Sequence, residues 1–186
     1  MITKFCFQYQ KTNFEESNPD SDMKYFAKLV CLILATAIHL NVFTQSNVNM
    51  KEKNLSIAKQ FYNEVINKGD NDLMKSIMSE NFVDHYAAPN IPKGIEGFKQ
   101  FLGMVGTAFP DIQVTVDEMF CDDDKVAVCL TVSGSHTGIL LGSIPPTGKH
   151  AVWTGIDVLK IESGKITERW SQRDIFGMMK QIGVVK

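Results

Sequence analysis

Residues 149–173 read KHAVWTGIDVLKIESGKITERWSQR. Two runs, Lys149 to Ile161 and Lys165 to Arg173, flank the dipeptide Ser163-Gly164. A Ser-Gly pair between two strand-like runs predicts a two-residue β-hairpin. The hairpin sets a register in which Glu162 faces Lys165, Leu159 faces Glu168, Asp157 faces Trp170 and Trp153 faces Asp174. Side chains alternate along a strand. One face is therefore expected to carry Trp153, Asp157, Leu159, Trp170, Gln172 and Asp174. The opposite face carries Val152, Thr154, Ile156, Val158, Arg169, Ser171 and Arg173. A slip of one residue exchanges the two sets.

Outward from the hairpin, Lys125 to Thr137 alternates Val126, Val128, Leu130 and Val132, and Asp111 to Cys121 alternates Ile112, Val114 and Val116. Both predict strands, with Asp122-Asp123-Asp124 as the turn between them. Asn81 to Tyr86 predicts a short strand, and Ala87 to Lys93, holding Pro89 and Pro92, a loop. Lys51 to Asn67 repeats Leu55, Ala58, Phe61, Tyr62, Val65 and Ile66 at helical spacing. Gly69 suits the left-handed position after that helix. Asp70 or Asn71 caps a short helix through Met78. Gly94 to Phe109 is a third helix, stopped by Pro110, and Ile175 to Ile182 is the last. Helices that come mostly first and an antiparallel meander that comes second indicate an α+β fold.

The length of 186 residues suits one domain. A net charge of -2 and the absence of a basic stripe argue against nucleic-acid binding. The four cysteines form no CxxC, and His39, His85, His136 and His150 form neither HxxxH nor HExxH. No metal site is therefore expected. Near the N-terminus, Met23-Lys24-Tyr25-Phe26-Ala27-Lys28 precedes the apolar run Leu29 to Leu40. Two lysines before about twelve apolar residues have the form of a signal peptide, and the run is short of the roughly 20 residues of a membrane span. The expected organisation is a non-native or disordered extension over residues 1–22, signal and mature start over 23–50, and the domain over 51–186. Export to the periplasm or the medium follows, with Met23 as the true start and the mature chain beginning between Ala37 and Asn49. An uncleaved anchoring helix is the alternative.

The face bearing Trp153, Asp157, Trp170 and Gln172 suits a pocket, in which apolar walls bury a ligand and few polar groups orient it. Aromatic walls also raise a carboxyl pKa by desolvation, as acid–base work near neutrality requires. His136 continues the row Val126, Val128, Leu130, Val132 and Gly134, so it either reaches the pocket or is a satisfied core residue. His85, between Asp84 and Tyr86, is a second candidate, and Tyr86 and Phe109 complete the expected lining. Asp174 stands where a helix begins, as its cap, as a catalytic carboxylate, or as both.

Seven segments occur in the order seen in SnoaL-like ester cyclases: Phe82-Val83-Asp84-His85, Ala108-Phe109-Pro110-Asp111, Gly134-Ser135-His136-Thr137-Gly138, Pro146-Thr147-Gly148-Lys149, Gly164 to Trp170, Asp174, and Gln181-Ile182-Gly183. From Lys51 to Lys186 the chain resembles that family, whose polyketide cyclases close a ring by an intramolecular aldol reaction. The resemblance implies a cone-shaped α+β barrel with N-terminal helices packed on a curved antiparallel sheet, often dimeric, with no metal, nucleotide or other cofactor. It also implies an acid–base aspartate near the end of the last long strand, matched by Asp174. The family's assisting histidine lies on the preceding strand; here Lys160 stands nearer that place than His136 does.

Three functions follow. In an enzyme, Asp174 takes a proton beside a carbonyl and His136 stabilises the enolate. In a binding module, the same pocket holds a small hydrophobic or aromatic ligand without turnover. In an interaction domain, the open sheet face is the working surface. A carboxylate buried beside the tryptophans points to the enzyme, and a solvent-facing Asp174 to the other two. A homodimer is expected through the face bearing Thr154, Ile156, Val158 and Arg173, an apolar row too large to leave wet.

Overall fold

The computed structural model describes residues 19–87 and 91–186. Most of the expected extension (residues 1–18) and part of the expected proline loop (88–90) lie outside the described residues. The chain divides into two compact units, Met1–Ser46 and Asn47–Lys186. Helix α1 is Pro19–Gln60, followed by a π-helical turn, Phe61–Ile66. Among the described residues no helix is long and apolar enough to cross a membrane.

In the second unit the remaining elements are α2 (Asn71–Ile77), β1 (Met78–Asp84), α3 (Gly94–Ala108), β2 (Gln113–Asp122), β3 (Lys125–Ser135), β4 (His150–Glu162), β5 (Lys165–Arg173) and α4 (Ile175–Ile182). The five strands form one open sheet in the order β1-β5-β4-β3-β2. Strands β2 to β5 are an antiparallel meander, as expected, while β1 joins the edge parallel to β5, so the sheet is mixed. The architecture is the α+β fold implied by the sequence.

Local chemistry explains the element ends. Asp70 caps α2, its side chain accepting from the backbone of Asp72 and Leu73. Gly183 adopts φ 80° to end α4. The core fills the space between one face of the sheet and the helices, with Phe61, Tyr62, Val65, Met74, Phe82, Phe98 and Phe109 set against Val126, Val128, Leu130 and Leu159. Asn67 ties the helical layer to the sheet. Its amide donates to the carbonyl of Val114 and accepts from its N–H, both at 2.8 Å.

The predicted hairpin is present: Ser163 and Gly164 both take positive φ, and Glu162 pairs with Lys165. The register beyond it differs from the expectation. After Ile161 pairs with Ile166, pairing resumes at Lys160 with Glu168, which leaves Thr167 as the extra residue of a β-bulge. Asp157 then stands opposite Ser171, Val158 opposite Trp170, Ile156 opposite Gln172 and Gly155 opposite Arg173. One inserted residue exchanges the two faces of β5. Arg169, Ser171 and Arg173 share the helix-covered face with Trp153, Asp157 and Leu159. Trp170 and Gln172 lie on the outer face with Ile156 and Val158. The face expected for Trp170 and Gln172 is thus corrected, and so is the outer-face placement of Arg173.

Candidate functional site

The centre of the helix-covered face is Asp157, a carboxylate with no exposed surface. It accepts from Tyr62 Oη at 2.7 Å, from Arg169 Nε at 3.2 Å, and from Arg173 Nη1 and Nη2 at 2.5 and 3.0 Å. Arg169 also donates Nη1 to Asp84 Oδ2 at 3.2 Å and Nη2 to Ser171 Oγ at 2.9 Å, and its guanidinium lies 5.2 Å from the centre of the Phe98 ring. Each member is placed by its element. Tyr62 lies on the π-helical turn, a distortion that often marks functional positions. Asp84 ends β1, and the Thr167 bulge turns the two arginines inward. Gly155, opposite Arg173, leaves room for it: a Cβ there would collide with the Arg173 side chain and the carbonyl of Gln172.

The electrostatics follow from burial and pairing. Burial pushes the Asp157 carboxyl up, but Arg169, Arg173 and Tyr62 together outweigh it and hold the group below the usual carboxylate range. Burial and the neighbouring Asp157 charge push the Tyr62 hydroxyl well up, so it remains a protonated donor. Asp157 is therefore an ionised anchor for its neighbours. Buried ion groups of this kind are poor devices for raw stability, and they concentrate at functional sites.

Two cavities meet at this group. The wider, of about 360 Å³, is bordered by Asp84, Tyr86, Lys93, Phe98 and Ile91 among others. The narrower, of about 220 Å³, is apolar and bordered by Phe61, Tyr62, Phe109, Val132, Trp153 and Met178 among others. Phe101, Arg169, Ser171, Arg173 and Ile175 border both. The two cavities share a waist of arginine and serine and are together termed the cleft, with an almost wholly apolar end and a wider, more polar end.

The sequence-predicted residues fall in several places. Trp153 and Phe109 border the apolar end, their rings 5.4 Å apart. Tyr86 borders the polar end, and Gln172 is exposed but touches its border. Asp157 lies beneath the waist. Trp170 stacks on His85 at 4.3 Å on the outer face, where His85 Nε2 meets Glu168 Oε2 at 2.7 Å. His136 is fully buried beside Phe109 and borders neither cavity; its Nδ1 meets Thr147 Oγ1 at 3.2 Å, and its Nε2 has no partner among the described residues. Asp174 is solvent-facing and caps α4, accepting from Gly177 N at 2.8 Å. The structure thus brings Trp153, Phe109, Tyr86 and Gln172 to the walls of the two cavities, sets Asp157 beneath their shared border, and leaves His85, Trp170, His136 and Asp174 outside them.

Sequence reasoning did not assign Tyr62, Asp84, Arg169, Ser171 and Arg173 to the site. The available signal was the alternation Arg169, Ser171, Arg173 on a strand paired with one that carries Asp157. Among the described residues no cluster of three or more His, Cys, Asp or Glu is placed to hold a metal ion.

A helical layer over one face of an open five-stranded mixed sheet, with cavities between them, defines a small α+β domain rather than a closed barrel. Residues 56–182 match the sequence profile of the SnoaL-like polyketide cyclases, and the chain belongs to that family. Solved structures agree. One from Bacillus cereus, assigned as a polyketide cyclase, is 27% identical, with a TM-score of 0.62 over 72% of this chain and 83% of that one. IdmH from Streptomyces antibioticus, also assigned as a polyketide cyclase, is 25% identical, with a TM-score of 0.62 over 70% of this chain and 98% of that one. TsrD from Streptomyces laurentii shares the fold at 24% identity and a TM-score of 0.66, over 73% and 98% of the two chains. No curated protein matches the chain.

Proposed function

We propose that the protein is a SnoaL-like domain that binds a small, largely apolar or aromatic carbonyl compound in the cleft and acts as a ligand-binding module. The observation that carries this reading is the waist. An apolar cavity of about 220 Å³ and a wider one of about 360 Å³ share Arg169, Ser171 and Arg173 in their walls. That combination buries an apolar body and orients a polar group. Asp174, the residue matched to the family's acid–base position, faces solvent and is occupied as a helix cap, which supports binding over aldol chemistry at that residue.

A second reading keeps acid–base catalysis and moves it. Among the described residues Asp84 is the one carboxylate that borders the cleft. It faces the waist across its contact with Arg169, so a carbonyl oxygen held there would place its α-carbon near a base. Calorimetric titration with naphthalene and naphthyl ketones tests the binding reading. Micromolar to millimolar binding that weakens when Trp153→Ala opens the apolar wall is expected, and heat-silent titrations would contradict it. Export is part of the same proposal: the lysines and apolar run from Met23 support a signal peptide, and the compact unit carrying the cleft begins at Asn47.

A further inference from the structure

The waist of the cleft is rich in hydrogen-bond donors and poor in free acceptors. A guanidinium carries five N–H groups. Arg169 engages three of them, on Asp157, Asp84 and Ser171. Arg173 also engages three, two on Asp157 and one on the carbonyl of Gln172. Two N–H groups are left on each. Ser171 Oγ accepts from Arg169, and its own proton has no acceptor among the described residues. The two carboxylates nearby are already committed. Asp157 takes four hydrogen bonds, and Asp84 takes one from Arg169 and one from the backbone of Tyr86.

The charges point the same way. Asp84, Lys93, Arg169 and Arg173 border the wider cavity, and Asp157 lies beneath. Three cations against two carboxylates leave one positive charge without a counterpart. Lys93 makes no ion pair among the described residues. A ligand that brings one anionic oxygen group would neutralise the site and accept from the unspent donors. Such charge-assisted hydrogen bonds are about twice as strong as neutral ones.

Resting on the cleft reading above, we propose that the ligand is a monoanion: an apolar or aromatic carboxylate, or an acid of the same planar oxygen geometry. Its oxygens sit at Ser171 Oγ–H and the free Arg173 N–H groups, and its body lies in the apolar end against Trp153 and Phe101. Ser171 is the discriminating residue, because its hydroxyl is polarised by Arg169 and is free to donate. The same seat would hold the enolate oxygen of a reacting substrate, so it serves either reading of the cleft.

The experiment is calorimetric titration of the full chain at pH 7 with 2-naphthoate and, separately, with 2-naphthamide. These two share one apolar body and differ in charge. The wild-type chain is expected to bind the acid at least roughly tenfold more tightly than the amide, and Ser171→Ala to weaken the acid more than the amide, bringing that ratio to within about threefold. Arg173→Lys, which keeps the charge beside Asp157, is expected to weaken the acid more than the amide; thermal melts verify that both variants are folded. Equal wild-type affinity for acid and amide would overturn the anionic seat and leave the cleft reading standing. Preference for the acid that survives Ser171→Ala would overturn the seat at Ser171. Failure of both compounds to bind would overturn both the seat and the cleft reading.

Discussion

Asp157 and Asp174 show how differently one side chain behaves in two settings. Asp157 is buried among arginines; Asp174 is in water at a helix end. The folded-state pKa of Asp157 is depressed, burial being outweighed by Arg169, Arg173 and Tyr62. Its contribution to stability is therefore complete above about pH 4, the value of an unfolded aspartate. It is lost as pH falls through the lower folded value. Asp157→Asn leaves two buried guanidinium groups without their counter-charge and is expected to cost about 3 to 5 kcal/mol at pH 7. Chemical denaturation at several pH values should show the gap between wild type and variant narrowing below about pH 4. A gap that stays constant down to pH 2.5 would refute the assignment. At Asp174 the prediction is milder. Asparagine caps helices as well as aspartate does, so Asp174→Asn should melt like the wild type, while Asp174→Ala should lose about 1 kcal/mol. Asp174→Asn should also leave ligand affinity unchanged, because the carboxylate stands outside the cleft.

At the scale of elements, the bulge at Thr167 decides which residues of β5 face the helices. Gly155 completes the arrangement by letting Arg173 lie across β4. Gly155→Ala is expected to destabilise by about 1 to 3 kcal/mol through overpacking and to weaken ligand binding, since the Arg173 side chain must move. A thermal melt superimposable on wild type would show that the close approach is unimportant. The periodic elements were legible in the sequence. The meander from Gln113 to Arg173 and the helices Gly94–Ala108 and Ile175–Ile182 follow from regular apolar spacing and from the turn residues Ser163-Gly164. Strand β1 was read three residues late, because Met78 continues the apolar face of α2 and nothing local marks the switch. The bulge was not legible at all. Ile166 and Trp170, four apart, invite assignment to one face, and an arginine on the buried face is tolerable only when Asp157 and Asp84 wait there. That is a fact of tertiary structure. The waist was missed for the same reason, whereas its apolar wall of Trp153 and Phe109 was within reach of pattern reading.

For the whole molecule, the outer sheet face leaves Phe120, Val152 and Ile156 exposed, with Thr154 between the last two. Contiguous apolar surface of this kind is seldom left in water. A homodimer through that face is expected by light scattering at micromolar concentration, and Ile156→Lys is expected to yield monomer. A wild-type chain that is monomeric throughout would exclude it. N-terminal sequencing of the exported protein is expected to place the mature start between Ala37 and Asn49; an intact Met1 or Met23 would contradict export with cleavage. The cleft itself is tested most directly by a crystal structure of the chain with 2-acetylnaphthalene bound. The ring system should lie against Phe101, Phe109 and Trp153, with the carbonyl oxygen within hydrogen-bond distance of Ser171 or Arg173 and the Asp174 carboxylate still on the N–H of Gly177. Ligand density at Asp174 or on the outer sheet face, with the cleft holding only water, would contradict it.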